Sequence, residues 1–393
     1  MMERMHFVAK ATLLTLAVVS LMLTSGVKGV ASAAEPFKVG AIVSVTGPGG
    51  MIGTPMRDAF VALVEDFNRK GGVQGRQIQL YIEDDKTNPT NAMVSATKLV
   101  RDMNVALLMG PTISDSAMAM IPVAEQEQIP FAITGPVVIP FKKWVFQVTP
   151  SDLLTLAYMV EYAVDNLKAK KIAVLHNTGV FGMTGWRVAQ SEIKNYPGAS
   201  IAIEEKFDMP DTNMIPQLTR IKAANPDIIL CQSDGASSGV IAKNYKQLGM
   251  KTPVLAPPSV ATPDFFRIGG AIAEESKWIF MTARITVAEQ MPLGDTWRKT
   301  LYEPFKKIMQ EKYGPRPLNV FHSVAHDDIK VVIEALQAAG SDDRATIRDA
   351  LEKARYVGLN GSYSYSPTDH RGISKWFGSI AVLKNGTFVP YEQ

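Results

Sequence analysis

With 46% apolar and 20% charged residues among 393, the chain has the composition of a globular protein long enough for about two to three domains. Its formal charge of +3 includes Arg4, Lys10 and Lys28 against Glu3 in residues 1–33, so the remainder carries +1. No basic stripe survives to track a phosphate backbone, which excludes nucleic acid as a partner. The single Cys231 rules out an internal disulfide, and its place in the apolar run "IILC" reads as a buried structural thiol.

The first segment reads as a cleaved secretory signal over residues 1–33. Arg4 and Lys10 precede the apolar run Ala11 to Leu23, and Ala31-Ser32-Ala33 supplies an A-x-A exit. The run is short for a span of about 20 residues, and no later stretch approaches membrane length. The mature chain is therefore expected to be a soluble protein of the periplasm.

From Phe37 strand and helix patterns alternate. "FKVGAIVSV" is a strand, followed by the loop "TGPGGMIG" and by apolar positions Met56, Phe60, Leu63, Val64 and Phe67 at helical period, ended by Gly71-Gly72. "IQLYIEDD", "VALLMG" and "IPFAITG" continue as strands, with "NAMVSATKLVRDM" and "SAMAMIPVAEQ" as the helices between them. Such βα units imply a parallel sheet covered by helices on both faces. The pattern restarts at "KIAVLHN" and runs through "DIILCQS" to "TPVLAP", which suggests two similar α/β domains. After "KWIFMTARI" it turns mainly helical, and the chain closes on a hairpin, "SIAVLKNGTFVPY", with a type I′ signal at Asn385-Gly386.

Catalytic arrangements are poorly supported. His322 and His326 stand four apart on a helix without a third ligand. "GASSG" at Gly235 to Gly239 has the outline of a nucleophile elbow around Ser237, but no Asp-then-His follows in a matching topology. "TGPGGMIG" lacks the Lys of a P-loop. Asp84-Asp85 reads as a solvated pair capping the helix after Pro89. Neither enzymatic activity nor a metal or cofactor is expected. What remains are hydroxyls, amides and aromatic rings where strands end, a composition suited to a small anion with an apolar body. Thr112, Ser114, Asp115 and Ser116 crowd one helix start. A cap needs only one of them, whereas a free helix N-terminus can seat an external anion.

The stretch from "KVGAIVSVTGPGGMIG" through "NRKGGVQGRQI" and "DDKTNP", with "GPTISDSAMAMIPVAE", "KIAVLHNTGVFG" and "GSYSYSPTDHRG", resembles periplasmic binding proteins of the branched-chain amino-acid (Leu/Ile/Val-binding) class of ABC transporters. The resemblance spans essentially the whole mature chain. It implies the type I fold, with two doubly wound α/β lobes, parallel-type sheets, a three-strand hinge and a ligand cleft between the lobes. Carried over, lobe 1 is 36–150 plus 283–362 and lobe 2 is 151–282 plus 363–393. The expected role is exported capture of a small carboxylate by a monomer that delivers it to membrane ABC permease subunits; a ligand-sensing receptor on the same fold is the other possibility.

The resemblance also implies contacts. Thr112 and Ser114 fall at the carboxylate seat, with Gly135 and Val137 in the next loop and Met51 in the first. Phe181 and Phe321 fall at pocket aromatics. Pro258, beside Ser259, stands where the class carries the acid that receives the ammonium, and Asp234 replaces a further aromatic. The positions of a loop disulfide found in some members hold Thr87 and Ile113. Either Asp234 takes over the ammonium or the ligand has none, and the second option, an aromatic acid of benzoate or cinnamate type, is slightly preferred.

Overall fold

The computed structural model describes residues 35–391 apart from 151, 271–273 and 275–276. The expected signal segment, 1–33, lies outside the described residues.

The chain first lays down β1 (Phe37–Val43), α1 (Gly50–Arg69), β2 (Ile78–Asp84), α2 (Pro89–Arg101), β3 (Leu107–Gly110), α3 (Ser114–Gln126), β4 (Phe131–Ile133) and β5 (Val145–Gln147). Their sheet has the order β2-β1-β3-β4-β5 and is parallel at every pair. The near-continuous apolar runs have a simple cause: both faces are covered. Phe37, Val39, Ala41 and Val43 enter one buried cluster and Ile42 the other, as the two-residue period of a strand requires.

The second half repeats the design. After α4 (Asp152–Glu161) come β6 (Lys171–Asn177), α5 (Val180–Glu192), β7 (Ser200–Phe207), α6 (Ile215–Ala224), β8 (Ile228–Gln232), α7 (Gly235–Gln247), β9 (Val254–Ala256), α8 (Pro263–Gly269) and β10 (Trp278–Ala283). Here the parallel order is β7-β6-β8-β9-β10. The helices α9 (Glu303–Tyr313), α10 (Val320–Ala339) and α11 (Arg344–Lys353) then return to the first sheet, where Phe305, Ile329, Leu336 and Leu351 share a cluster with Val39 and Phe60. A small antiparallel sheet follows, β11 (Arg355–Val357), β12 (Gly361–Ser364) and β13 (Ile373–Trp376). Finally β14 (Gly378–Lys384) adds antiparallel to β10, and β15 (Thr387–Pro390) antiparallel to β14, in the second sheet. Asn385 and Gly386 both have positive φ, 50° and 72°, as a type I′ hairpin needs.

In each sheet the strand order reverses once, between β1 and β3 and between β6 and β8. Such a reversal sends successive helices to opposite faces and leaves a crevice at the carboxyl ends of the two strands. The loops after β3 and after β8 therefore stand where a ligand belongs.

Two local expectations are corrected. The cap of α2 is Asn88, whose side chain accepts from Thr90 N and Asn91 N. Asp85 is fully buried rather than solvated, accepting from Ser44 Oγ and Ser116 Oγ at 2.6 Å each and from Thr87 N at 2.9 Å. It pins β1 to the start of α3. The sheet β11–β13 has no counterpart in the sequence reading, because its short strands are half-exposed and carry little apolar alternation.

Candidate functional site

Two chambers adjoin at the crevice. The inner encloses about 100 Å³ and the outer about 500 Å³. Thr112, Pro136, Phe181, Ser259 and Phe321 line both. Phe181 comes from the first turn of α5 and Ser259 from the loop after β9, whereas Thr112 follows β3 and Phe321 opens α10. The site is thus built by elements of both sheets. Two contacts cross it. Asp115 accepts from Val180 N at 3.1 and 3.3 Å through its two oxygens, and Arg267 Nη2 approaches Met51 Sδ at 3.6 Å.

The inner chamber is walled by Met56, Phe181, Phe321, Val324 and Trp376, by Pro150, Pro257 and Pro258, and by hydroxyl and amide side chains. Among the described residues, no charged side chain lines it. Several of its hydroxyls are spent inside the protein. Thr134 Oγ1 donates to Pro111 O at 2.7 Å, Thr149 Oγ1 to Thr134 O at 2.5 Å and Ser259 Oγ to Ser233 O at 2.7 Å. Thr112 differs: its Oγ1 accepts from Ser44 N at 2.8 Å, which leaves its own hydrogen to donate.

The outer chamber includes the start of α3, Ile113-Ser114-Asp115, together with Asp208 and Asp234. No side chain caps α3, and Ile113 occupies the cap position with extended φ and ψ of −118° and 153°. The first intrahelical bond is Ala117 N to Ile113 O, so the N–H groups of the residues before it are the ones a helix cannot satisfy itself. They carry the positive end of the helix dipole. The crowd of hydroxyls here is resolved as follows. Ser114 Oγ donates to Pro136 O at 2.5 Å, Ser116 Oγ holds Asp85, and Asp115 reaches across to α5. None of them caps α3, although a cap would need only one.

The structure brings together Thr112, Ser114, Phe181, Asp234, Pro258, Ser259 and Phe321 on the two chambers. Gly135 and Val137 are not on either wall; Thr134 and Pro136 are. A Cβ at Gly135 would meet Ala117 Cβ at 2.9 Å, so this position exists to let the loop pack on α3, and the Val137 carbonyl accepts from Gln147 Nε2. Met51 also lies off both walls, which take Ile52 and Met56 from α1 instead. Asp234 is the N-cap of α7, accepting from Ala236 N and Ser237 N at 2.9 Å and from Ser237 Oγ at 2.8 Å. The sequence reading missed Gln232, Trp376 and Asn360. Gln232, at the end of β8 in "LCQSD", carries no signal that separates it from other strand-end polar residues, and distant segments deliver Trp376 and Asn360.

The remaining chemistry is structural. Burial pushes the Cys231 thiol up to about 12. His322 sits in the capping box of α10 and His326 Nδ1 bonds Asp327 at 2.8 Å. No group of three or more His, Cys, Asp and Glu among the described residues could hold a metal, and none of the described helices is long and apolar enough to cross a membrane.

A family profile described as "periplasmic binding protein" matches residues 36–384. The chain belongs to that family. A relative in Pseudomonas aeruginosa, the leucine-, isoleucine-, valine-, threonine- and alanine-binding protein, is 24% identical over 94% of this chain and 93% of its own. An extracellular ligand-binding receptor from Rhodopseudomonas palustris HaA2 superposes with a TM-score of 0.83 at 24% identity, covering 91% of this chain and 99% of that one. A solute-binding protein of an R. palustris ABC transporter, solved in complex with benzoate, has a TM-score of 0.77 at 18% identity, covering 90% and 95%. The periplasmic binding protein described here thus has the type I fold, two α/β lobes with a ligand cleft between them.

Proposed function

We propose that this protein is the exported capture component of an ABC uptake system for a small organic acid with an apolar, preferably aromatic, body of benzoate or cinnamate type. The observation that carries the reading is the inner chamber: no charged side chain among the described residues lines it, while an uncapped helix N-terminus stands at its edge. A carboxylate is favoured at that terminus by the dipole and the free N–H groups. The ring of the ligand packs among Phe181, Phe321 and Trp376. An α-ammonium turned toward Pro258 would be buried with no partner, at a cost of several kcal/mol.

In this reading the lobes are 36–150 plus 283–362 and 151–282 plus 363–393, and they close on the ligand by a hinge motion. The protein is a monomer that performs no chemistry, reaches the periplasm after removal of residues 1–33, and hands its ligand to permease subunits. The named relatives include one for aliphatic amino acids and one solved with benzoate; the fold accommodates both, and the wall chemistry favours the second.

A second reading has its own support. Asp115, Asp208 and Asp234 line the outer chamber, and Asp234 there could receive the ammonium of a hydrophobic amino acid. Titration calorimetry with benzoate, cinnamate, leucine, isoleucine and valine separates the two. The expected result is tighter binding of an aryl acid than of any of the three amino acids. Tight leucine binding with no detectable heat from either aryl acid would overturn the first reading in favour of the second.

A further inference from the structure

Among the described residues, neither polar atom of the Gln232 side-chain amide has a hydrogen-bond partner, although the residue is only 1% exposed. Gln232 ends β8 and belongs to the wall of the inner chamber. A buried amide left unpaired is costly, and such groups in native proteins call for a reason. Gly185 of α5 packs closely on this side chain: a Cβ there would stand 2.6 Å from Gln232 Cγ. Another amide of the same wall, that of Asn360, has a partner at each polar atom: its Oδ1 accepts from Ser323 Oγ and its Nδ2 donates to Asp327 Oδ2. Gln232 therefore keeps a donor and an acceptor unspent beside a mainly apolar space.

We propose that Gln232 is a specificity residue that pairs with an uncharged hydroxyl carried on the apolar body of the ligand, away from its carboxylate. The proposal rests on the organic-acid reading of the cleft. An amide presents Nε2 as donor and Oε1 as acceptor side by side, and a hydroxyl can answer both. A carboxylate would answer Nε2 and face Oε1 unfavourably; an ammonium would do the reverse. Gln232 lines only the inner chamber, and the start of α3 lines only the outer. One elongated ligand then meets the two at different ends, its acid outward and its hydroxyl inward. A site built around a buried polar group discriminates strongly against an analogue that lacks the matching group.

The test is titration calorimetry of benzoate, 3-hydroxybenzoate and 4-hydroxybenzoate with the wild type and with Gln232→Leu, which keeps most of the side-chain volume. At least one hydroxybenzoate should bind the wild type about 10-fold or more tighter than benzoate. Gln232→Leu should erase that preference. A second measurement needs no ligand: Gln232→Leu should raise the thermal midpoint by a few degrees, because it removes an unpaired buried amide. Equal wild-type affinity for all three acids overturns the proposal, as does a preference that survives in the variant. A midpoint lowered by several degrees also overturns it, by revealing a structural partner for the amide. Binding of leucine and of none of these acids would instead remove the organic-acid reading, and this proposal with it.

Discussion

The turns "LLMGPTISDS" (107–116) and "ILCQSDGASS" (229–238) occupy the same place in their two sheets, each leading from the strand beyond the order reversal into a helix. They treat the helix start in opposite ways. In the second, Asp234 is the cap of its own helix, its Oδ1 accepting from two backbone N–H groups. In the first, the cap position holds Ile113, and the acid sits further in, at Asp115, where it leaves its own helix to bond Val180 N of α5. One helix end has thus been closed to anions by a resident carboxylate and the other left open. On the proposed reading the first lobe takes the charge of the ligand, while its body meets Phe181, Pro258 and Gln232 of the second lobe and Phe321 of the first.

Copying the second device onto the first should break that difference most completely. Ile113 already has the extended backbone of a cap residue, so Ile113→Asp should bond the free N–H groups of α3 much as Asp234 does for α7. The helix start gains of order 1 kcal/mol from the cap, while the anion loses its donors and meets a like charge. Affinity for an aryl acid should fall more than about 100-fold in a protein whose circular dichroism is unchanged. An unaltered dissociation constant would place the carboxylate elsewhere.

A third helix start sharpens the comparison with pH. At α10 the cap is reciprocal: Asn319 Oδ1 accepts from Phe321 N and His322 N, and His322 Nδ1 accepts from Asn319 N at 3.2 Å. Burial, only partly offset by Asp58, lowers the His322 pKa from 6.5 to about 4. Because the folded value is depressed, the neutral ring's contribution is fully present above pH 6.5 and is lost as pH falls toward 4. The loss is of order 1–3 kcal/mol. Phe321, in the same turn, should loosen with it. Chemical denaturation from pH 7.5 to 4 should show this slope, and His322→Gln should flatten it; an equally steep slope in the variant would assign it to other groups.

Asp115 provides a smaller effect. Its bonds to Val180 N tie the two lobes, so Asp115→Ala should favour the open cleft and weaken binding by roughly 3- to 10-fold, the worth of one cap. Small-angle scattering of the ligand-free variant should give a larger radius of gyration than the wild type. Identical radii would show that Asp115 does not hold the cleft closed.

The repeating βα pattern, the two sheets and the crowded start of α3 were legible because buried parallel strands and helix periods are local signals. Phe181 and Phe321, by contrast, were placed only by the family resemblance, and both line the two chambers. Most of what escaped was decided at a distance. Asp85 reads as a loop acid until β1 and α3 converge on it from residues 44 and 116. Asp234 lines the outer chamber but also caps α7 through Ala236 N and Ser237 N, a local contact that the sequence reading passed over. Gln232 differs from any buried strand-end polar residue only in what fails to reach it, and sequence carries no record of a missing partner.

The smallest effect is expected at Asp234, and it is the one that weighs most between the two ligand classes. Asn caps a helix about as well as Asp. In Asp234→Asn the Oδ1 bonds to Ala236 N and Ser237 N can persist, and the new Nδ2 can donate to Ser237 Oγ where Oδ2 formerly accepted. Stability should therefore change by less than about 0.5 kcal/mol. For an acid without an ammonium the variant should bind within about threefold of the wild type, shifted toward tighter binding because a negative charge near the carboxylate is gone. If the outer chamber instead holds an ammonium against Asp234, the same change strands one charge of an enclosed pair, and leucine affinity should fall by more than 100-fold. Calorimetry of both proteins with benzoate and with leucine reads the difference directly: a collapse of leucine binding in a stable, folded variant would move the charge of the ligand to the second lobe and undo the division of labour between the two turns.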